Sequence, residues 1–327
     1  MLRQRTGSAP ADRQPAPLTW LRRLWLGLAM VGLAMASPSP AQPLPASPAS
    51  NRTTMTARVS QPGEIRFAII GDYGDGGPGE AEVASLIRGW QPDFIITTGD
   101  NRYVWMTYDR VVGRYFCAFM KKAGSGTFCH GGNGRTNAFF PSLGNHDYED
   151  GGGINEYLAY FTLPGNERYY DFVRGPVHFF VLNSNPQEPD GNGLHSSQAA
   201  WLRKRLSSST SPWRIVYFHH APFSSAEHGP TPWMQWPFGE WGADAVISGH
   251  DHTYERLQID GLPYFVNGLG GGRIYRFHAA LPQSVVRYNE DHGAMLVEAD
   301  ASGMRFSFIS RRGQLIDTFS LRKALHE

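Results

Sequence analysis

The sequence predicts an α/β fold, a layered sandwich of two mixed β-sheets flanked by helices, with its strand-end loops opening on one edge. Three observations carry this. Near the start, a strand, loop, helix, strand pattern places an aspartate after each strand. The alternation of strand and helix continues through the middle, and after His252 the chain reads as strands joined by turns.

A β-rich run from Glu64 to Ile70 stops at Gly71-Asp72-Tyr73-Gly74. Pro78 to Gly89 then shows helical spacing through Ala81, Val83, Leu86 and Ile87, because residues three and four apart share a helix face. Asp93 to Thr98 is a second apolar strand closing in Gly99-Asp100. Short runs apolar on both faces imply a largely parallel, buried sheet. Further strands are predicted at Ala138 to Leu143, His178 to Asn183, Trp213 to Phe218 and Ala245 to Ser248, with a helix from Ser196 to Leu206. Tyr254 to Ile259, Leu262 to Val266, Ala294 to Glu298, Met304 to Ile309 and Leu315 to Leu321 complete the set and read as antiparallel,.

Of 327 residues, 41% are hydrophobic and 18% charged, so the chain can bury its own core, and one catalytic domain, a monomer, is expected over 63–327. Residues 1–41 read differently. Arg3, Arg5, Arg13, Arg22 and Arg23 precede an apolar run from Leu24 to Ala36, and small residues with prolines follow. That is the order of a secretory signal, cleaved after Ala36 or Ala41. The apolar run is shorter than the roughly 20 residues a bilayer span needs. Arg22-Arg23 before Leu24-Trp25-Leu26 partly matches a twin-arginine signal, and the export route stays open. The expected location is periplasmic or secreted. Residues 42–62, rich in Pro, Ala and Ser, read as a flexible leader. Loss of 1–41 removes five arginines and one aspartate, moving the formal charge from +1 to −3. No basic footprint for nucleic acid remains.

The chemistry is concentrated at strand ends. Asp72 and Asp100 each follow a strand, Asn145 lies in Gly144-Asn145-His146-Asp147, His219 ends Val216-Tyr217-Phe218-His219, and His250 and His252 lie in Gly249-His250-Asp251-His252. Oxygen and imidazole donors suit hard and borderline metal ions, and a carboxylate can bridge two of them. Each piece alone is common in α/β proteins. Their order is what is specific.

On these motifs the chain resembles a calcineurin-like metallophosphoesterase from about Ile65 to its last strands. Within that superfamily Gly99-Asp100-Asn101-Arg102-Tyr103, with a tyrosine three residues after the aspartate, is similar to a purple acid phosphatase. Arg102 and Val104 stand where that family carries aromatic residues. The resemblance implies a four-layer α/β/β/α sandwich. It also implies Fe³⁺ held by Asp72, Asp100, Tyr103 and His252, and a divalent ion (Fe²⁺, Zn²⁺ or Mn²⁺) held by Asp100, Asn145, His219 and His250. The implied reaction is hydrolysis of a small phosphate monoester by a hydroxide on the ion pair, in line with the leaving group. Ala226-Glu227-His228-Gly229-Pro230-Thr231 resembles a segment of the small, mammalian-type members. By analogy His146 and His228 would face the phosphate as catalytic groups. A phosphodiesterase or nucleotidase on the same fold, or an exported protein that only binds, are the alternatives.

The remaining features have plainer readings. A disulfide between Cys117 and Cys129 is expected in an oxidising compartment, with two unbridged thiols as the alternative that spacing alone leaves open. Gly268-Leu269-Gly270-Gly271-Gly272 lacks the Lys-Ser or Lys-Thr of a nucleotide loop and reads as a tight turn beside the metal site,. His220, next to His219 on a strand, points to the other face. Trp105, Tyr108, Trp233 and Trp236 lie near the ligand-bearing segments and are either pocket walls or core.

Overall fold

The structure, a computed structural model, describes residues 63–149 and 154–323. The expected signal (1–41) and leader (42–62) lie outside the described residues. The chain begins with β1 (Ile65–Ile70), α1 (Pro78–Trp90), β2 (Phe94–Thr97), a short α2 (Arg114–Phe116) and β3 (Phe139–Pro141). It continues with α3 (Asn155–Tyr160), β4 (Tyr170–Arg174), β5 (Val177–Val181), α4 (Ser197–Ser207), β6 (Trp213–His220) and β7 (Ala245–Gly249). Six strands close it: β8 (Tyr254–Ile259), β9 (Leu262–Asn267), β10 (Ser284–Tyr288), β11 (Gly293–Ala299), β12 (Gly303–Ser310) and β13 (Leu315–Arg322). They form two mixed sheets, ordered β13-β12-β11-β1-β2-β3 and β10-β8-β9-β7-β6-β5-β4.

Alternation of side chains builds two apolar layers from the second sheet. Phe179, Ile215, Tyr217, Ala245 and Ile247 face a large core shared with the first sheet, where they join Phe67, Phe94 and Phe306. Their neighbours Phe180, Val216, Phe218 and Val246 face a second core closed by Ala199, Leu202 and Leu206 of α4. A strand repeats every two residues, so one run of apolar residues can serve both layers. The Ser196 hydroxyl starts α4 by accepting the Ala199 N–H at 3.1 Å,. Pro78 at its first turn and Arg88 in its last favour α1, which ends where Gln91 turns left-handed at φ 52°,.

The parallel pairs β1–β2, β2–β3, β5–β6 and β6–β7 match the expected order. The antiparallel expectation for the C-terminal part holds for β11, β12 and β13 but not throughout, because β9 runs parallel to β7 while pairing antiparallel with β8. The strands β4 and β10 and the helix α3 were not anticipated. Both strands lie at a sheet edge, where half the residues face water and the apolar signal is thin,.

Between β2 and β3, Cys117 and Cys129 form a disulfide with a Cα separation of 5.4 Å. Beside it the Asp109 carboxylate accepts the backbone N–H groups of Thr127, Phe128 and Cys129 at 2.8, 3.0 and 2.8 Å. The same loop region holds Arg102, which is 1% exposed and lies 5.1 Å over the Tyr108 ring. Its guanidinium donates to the carbonyls of Met106 and Glu149 at 3.4 and 3.3 Å. This is the physical use of a cation where aromatic residues were expected.

The bridge closes a loop with a sequence separation of 12. Cys117→Ser with Cys129→Ser is expected to lower stability by about 3 kcal/mol in denaturant titration. A second prediction concerns Glu80, fully buried in the first turn of α1. It accepts the Gly76 N–H at 2.7 Å, and its other oxygen has no partner among the described residues. Burial, helped by the charge of Asp75, pushes its pKa up to about 9. The folded chain keeps this proton while the unfolded chain releases it near the ordinary value of 4.5. Its contribution is therefore full below that value and is lost as pH rises toward 9,. Glu80→Gln is expected to flatten the fall in stability across that window by about 1 kcal/mol per pH unit, read from melting temperature against pH.

Candidate metal centre

Every residue in the sequence-predicted donor set sits at or just beyond the carboxyl end of a strand. β1 leads to Asp72, β2 to Asp100 and Tyr103, β3 to Asn145, β6 carries His219 as its next-to-last residue, and β7 leads to His250 and His252. The first sheet thus supplies the oxygen donors and the second the imidazoles. Asp72, Asp100 and His250 hold left-handed backbone at φ 55°, 50° and 71°. That conformation is uncommon for residues with a side chain. It turns the chain sharply at the strand end, so that each donor points back over the sheet edge.

The donors converge. His219 Nε2 is 3.4 Å from Asp100 Oδ1, 2.9 Å from Asn145 Oδ1 and 3.1 Å from His250 Nδ1. On the other side, His252 Nε2 is 3.5 Å from Asp72 Oδ1 and 3.1 Å from the Tyr103 hydroxyl. Asp72, Asp100 and His252 offer ligand atoms that all lie within 4.8 Å of one another. Atoms bound to one ion at about 2.0–2.2 Å are separated by about 3 Å. The observed spacings are of that size.

Hydrogen bonds set the tautomers. His219 Nδ1 donates to the Thr98 carbonyl at 2.8 Å, and His252 Nδ1 to the Arg273 carbonyl at 2.7 Å. Each leaves Nε2 with its lone pair toward the cluster, the second-sphere arrangement of metal-binding imidazoles. Burial lowers His219 and His252 to about 3 and lowers His250 further, so all three are neutral at ordinary pH. Burial also raises Asp72, with the Asp100 charge adding to it. Asp100 itself rises to about 6, mainly through burial. The Tyr103 hydroxyl is held well above its usual range by burial and by the two carboxylates.

These residues fit a cation. Two carboxylates, 0% and 2% exposed, lie against neutral imidazoles whose lone pairs face inward, and the ion-pair partners of both among the described residues are histidines. A bound cation supplies the missing charge and favours the anionic forms that burial opposes. Backbone closeness supports the same reading. A Cβ added at Gly144 would lie 2.1 Å from Asp100 Oδ1, and one at Gly272 would lie 2.8 Å from the His252 ring and 2.9 Å from the Tyr103 hydroxyl. The glycine-rich turn therefore does touch the centre, with the Gly272 N–H donating to the Asp72 carbonyl at 2.9 Å.

His146 and His228 border the donors. The His146 N–H donates to Asp100 Oδ1 at 3.0 Å; its Nδ1 is 2.7 Å from Glu149 Oε2, and its Nε2 lies 3.8 Å from Asp100 Oδ2. His228 is exposed and stacks on His250 at 4.1 Å between ring centroids. Its N–H donates to Asp251 Oδ1 at 2.8 Å.

Several residues here escaped the sequence reading. The Tyr275 ring stacks on His252 at 4.1 Å and 5° and meets His228 edge-on at 5.2 Å. Asp147, fully buried, accepts from Gly144 N–H at 2.8 Å, Asn101 Nδ2 at 2.9 Å and the Tyr108 hydroxyl at 2.9 Å, tying the Asp100 and Asn145 loops together. Glu149 orients His146. Only Asp147 and Asn101 carried a sequence signal, as neighbours of motif residues. His220 is not remote from the centre: Ser184 Oγ lies 2.8 Å from its Nδ1, and its ring rests on His250 at 4.4 Å. Of the four aromatic candidates, Tyr108 and Trp236 are core, 2% and 3% exposed, whereas Trp105 and Trp233 are on the surface.

Two mixed sheets with oxygen and imidazole donors gathered at their carboxyl edges define a metallophosphoesterase. A model of the calcineurin-like phosphoesterase family matches residues 65–254, and the chain belongs to that family. Among curated relatives, rat tartrate-resistant acid phosphatase type 5 is 24% identical over 303 residues, covering 79% of this chain and 90% of that protein. Purple acid phosphatase 15 of Arabidopsis thaliana is 28% identical over 257 residues, covering 67% of this chain and 47% of that one. Among solved structures, yellow lupin purple acid phosphatase PPD1 matches with a TM-score of 0.63 at 17% identity, over 79% of this chain and 54% of that one. GAP50, the anchor in the inner membrane complex of Plasmodium, matches with a TM-score of 0.61 at 17% identity, over 79% and 89%. Among the described residues no helix is long and apolar enough to cross a membrane.

The glycine contact yields a test. Gly272→Ala is expected to displace His252 and Tyr103 and to weaken metal retention about tenfold or more, measured as metal content after dialysis. Gly193→Ala, whose added Cβ meets nothing within 4 Å, is the control.

Proposed function

We propose that this chain is an exported acid phosphatase of the purple type that hydrolyses small phosphate monoesters at a dinuclear metal centre. The observation that carries the reading is the position of Asp100 between two donor groups. Tyr103 and His252 lie beside Asp72 on one side, and Asn145, His219 and His250 gather on the other. In this assignment Asp72, Asp100, Tyr103 and His252 hold Fe³⁺, and Asp100, Asn145, His219 and His250 hold Fe²⁺, Zn²⁺ or Mn²⁺. A phenol and carboxylates favour the harder ion, while imidazoles and a neutral amide suit the divalent one. When bound, the ions supply Lewis acidity, both to make a water nucleophilic at mild pH and to offset phosphoryl charge.

The protein's own groups do the rest. Glu149 holds the His146 ring through Nδ1, leaving Nε2 on the side of Asp100, where it can hydrogen-bond a phosphoryl oxygen or protonate the departing oxygen. His228, stacked on His250 and exposed, is the second group for that role. Both lie within the first-sheet and second-sheet halves of one cluster, so an ester seated there meets a donor from each. In this reading residues 1–41 form the export signal, 42–62 a leader and 63–327 the catalytic domain.

Purified, metal-replete protein is expected to release phosphate from a mono-aryl ester faster than it cleaves a bis-aryl ester, and Asp100→Asn to reduce kcat by about a hundredfold or more. A visible absorption band lost in Tyr103→Phe is expected from phenolate on Fe³⁺. A colourless protein with two divalent ions that still turns over would remove the purple assignment alone, and preference for the diester would move the activity to phosphodiesterase. Metal-replete protein with no turnover of either ester would sink the enzymatic reading.

A further inference from the structure

Tryptophan is seldom left in water, since its indole carries a large apolar area. Two exposed tryptophans among the described residues, Trp105 at 72% and Trp233 at 43%, nevertheless stand on loops that flank the donor cluster. Trp105 follows Tyr103 by two residues and lies parallel to its ring, 6.4 Å between centroids and 18° between planes. Trp233 lies in the short turn Pro232–Met234 and meets His220 at 5.9 Å. Its indole N–H donates to the Ser184 carbonyl at 3.2 Å, an oxygen that also accepts from Asn192 Nδ2 at 2.9 Å. The side chain is therefore held in place rather than free to fold back.

A series of ring-to-ring contacts joins the two tryptophans, running through Tyr103, His252, Tyr275, His228, His250 and His220. We propose that Trp105 and Trp233 are the walls of an aromatic subsite at the mouth of the centre, and that the preferred ester has a planar, uncharged aromatic leaving group. The inference rests on the phosphatase reading and adds the substrate class. An indole face offers stacking and apolar contact but no charge. The Arg273 guanidinium beside this rim is already paired: its Nη2 is 3.3 Å from Glu227 Oε1, with the guanidinium carbon 5.5 Å over the Tyr275 ring. A leaving group bearing a second phosphate would have to break that pair, whereas a neutral ring would not.

The test is the ratio of kcat/KM for phenyl phosphate to that for glycerol phosphate, in the wild-type chain and in Trp105→Ala and Trp233→Ala. Comparing ratios cancels the intrinsic difference between the two leaving groups. Each variant is expected to lower the ratio about tenfold, mainly through KM for the aryl ester, and Trp105→Phe and Trp233→Phe to restore most of it. A ratio unchanged in either alanine variant overturns the two-walled subsite. Turnover of glycerol phosphate by the wild type reports the phosphatase reading separately. If neither ester is hydrolysed, that reading has failed, and calorimetry with phenylphosphonate against methylphosphonate decides the subsite. Tighter phenylphosphonate binding that is lost in the alanine variants supports it, and equal affinities overturn it.

Discussion

Two carboxylates that burial and mutual repulsion both oppose, Asp72 and Asp100, are the constraint around which the molecule is arranged. Separated by 28 positions in sequence, they lie at the ends of adjacent parallel strands, and parallel pairing alone brings two carboxyl ends to the same edge,. Left-handed turns at both residues direct the side chains over that edge. The His250 N–H supports Asp72 Oδ1 and Oδ2 at 3.1 and 3.0 Å, and the His146 N–H supports Asp100. These bonds stabilise the anions without neutralising them, which is what a cation site requires.

The second sheet answers with imidazoles kept neutral by burial. Its three donors come from β6 and the loop after β7, also parallel neighbours whose carboxyl ends coincide. The large aromatic core between the sheets, with Phe67, Phe94, Phe179 and Tyr217 among its members, fixes the distance between the two edges. Phosphoester chemistry in this chain therefore depends on sheet packing as much as on the ligands. Moving one sheet edge by an ångström would separate His219 from Asn145 and Asp100.

Around the donors lies a shell whose work is orientation. Carbonyls of Thr98 and Arg273 set two tautomers, Asp147 joins the Asp100 and Asn145 loops, and Tyr275 and His220 brace the rings of His252 and His250. This stacking leaves the imidazoles little freedom to rotate. The same ring-on-ring packing continues outward to Trp105 and Trp233, where it meets solvent.

The sequence by itself determined the sandwich class, most strand positions and the cluster donors, because each of those depends on local signals. An apolar run, a glycine and an acidic residue are adjacent in the chain, and the order Asp72, Asp100, Asn145, His219, His250, His252 is read in one dimension. Edge strands β4 and β10 left too weak a pattern. Tertiary structure alone decided that β9 lies parallel to β7, that β11 pairs with β1 to bring the last strands beside the first, and that Cys117 meets Cys129. It also decided that Tyr275 and Glu149 belong to the centre and that Tyr108 and Trp236 do not. None of these has a signature in neighbouring residues. Each depends on which surfaces pack together once the chain has folded, and that is set by burial summed over the whole core.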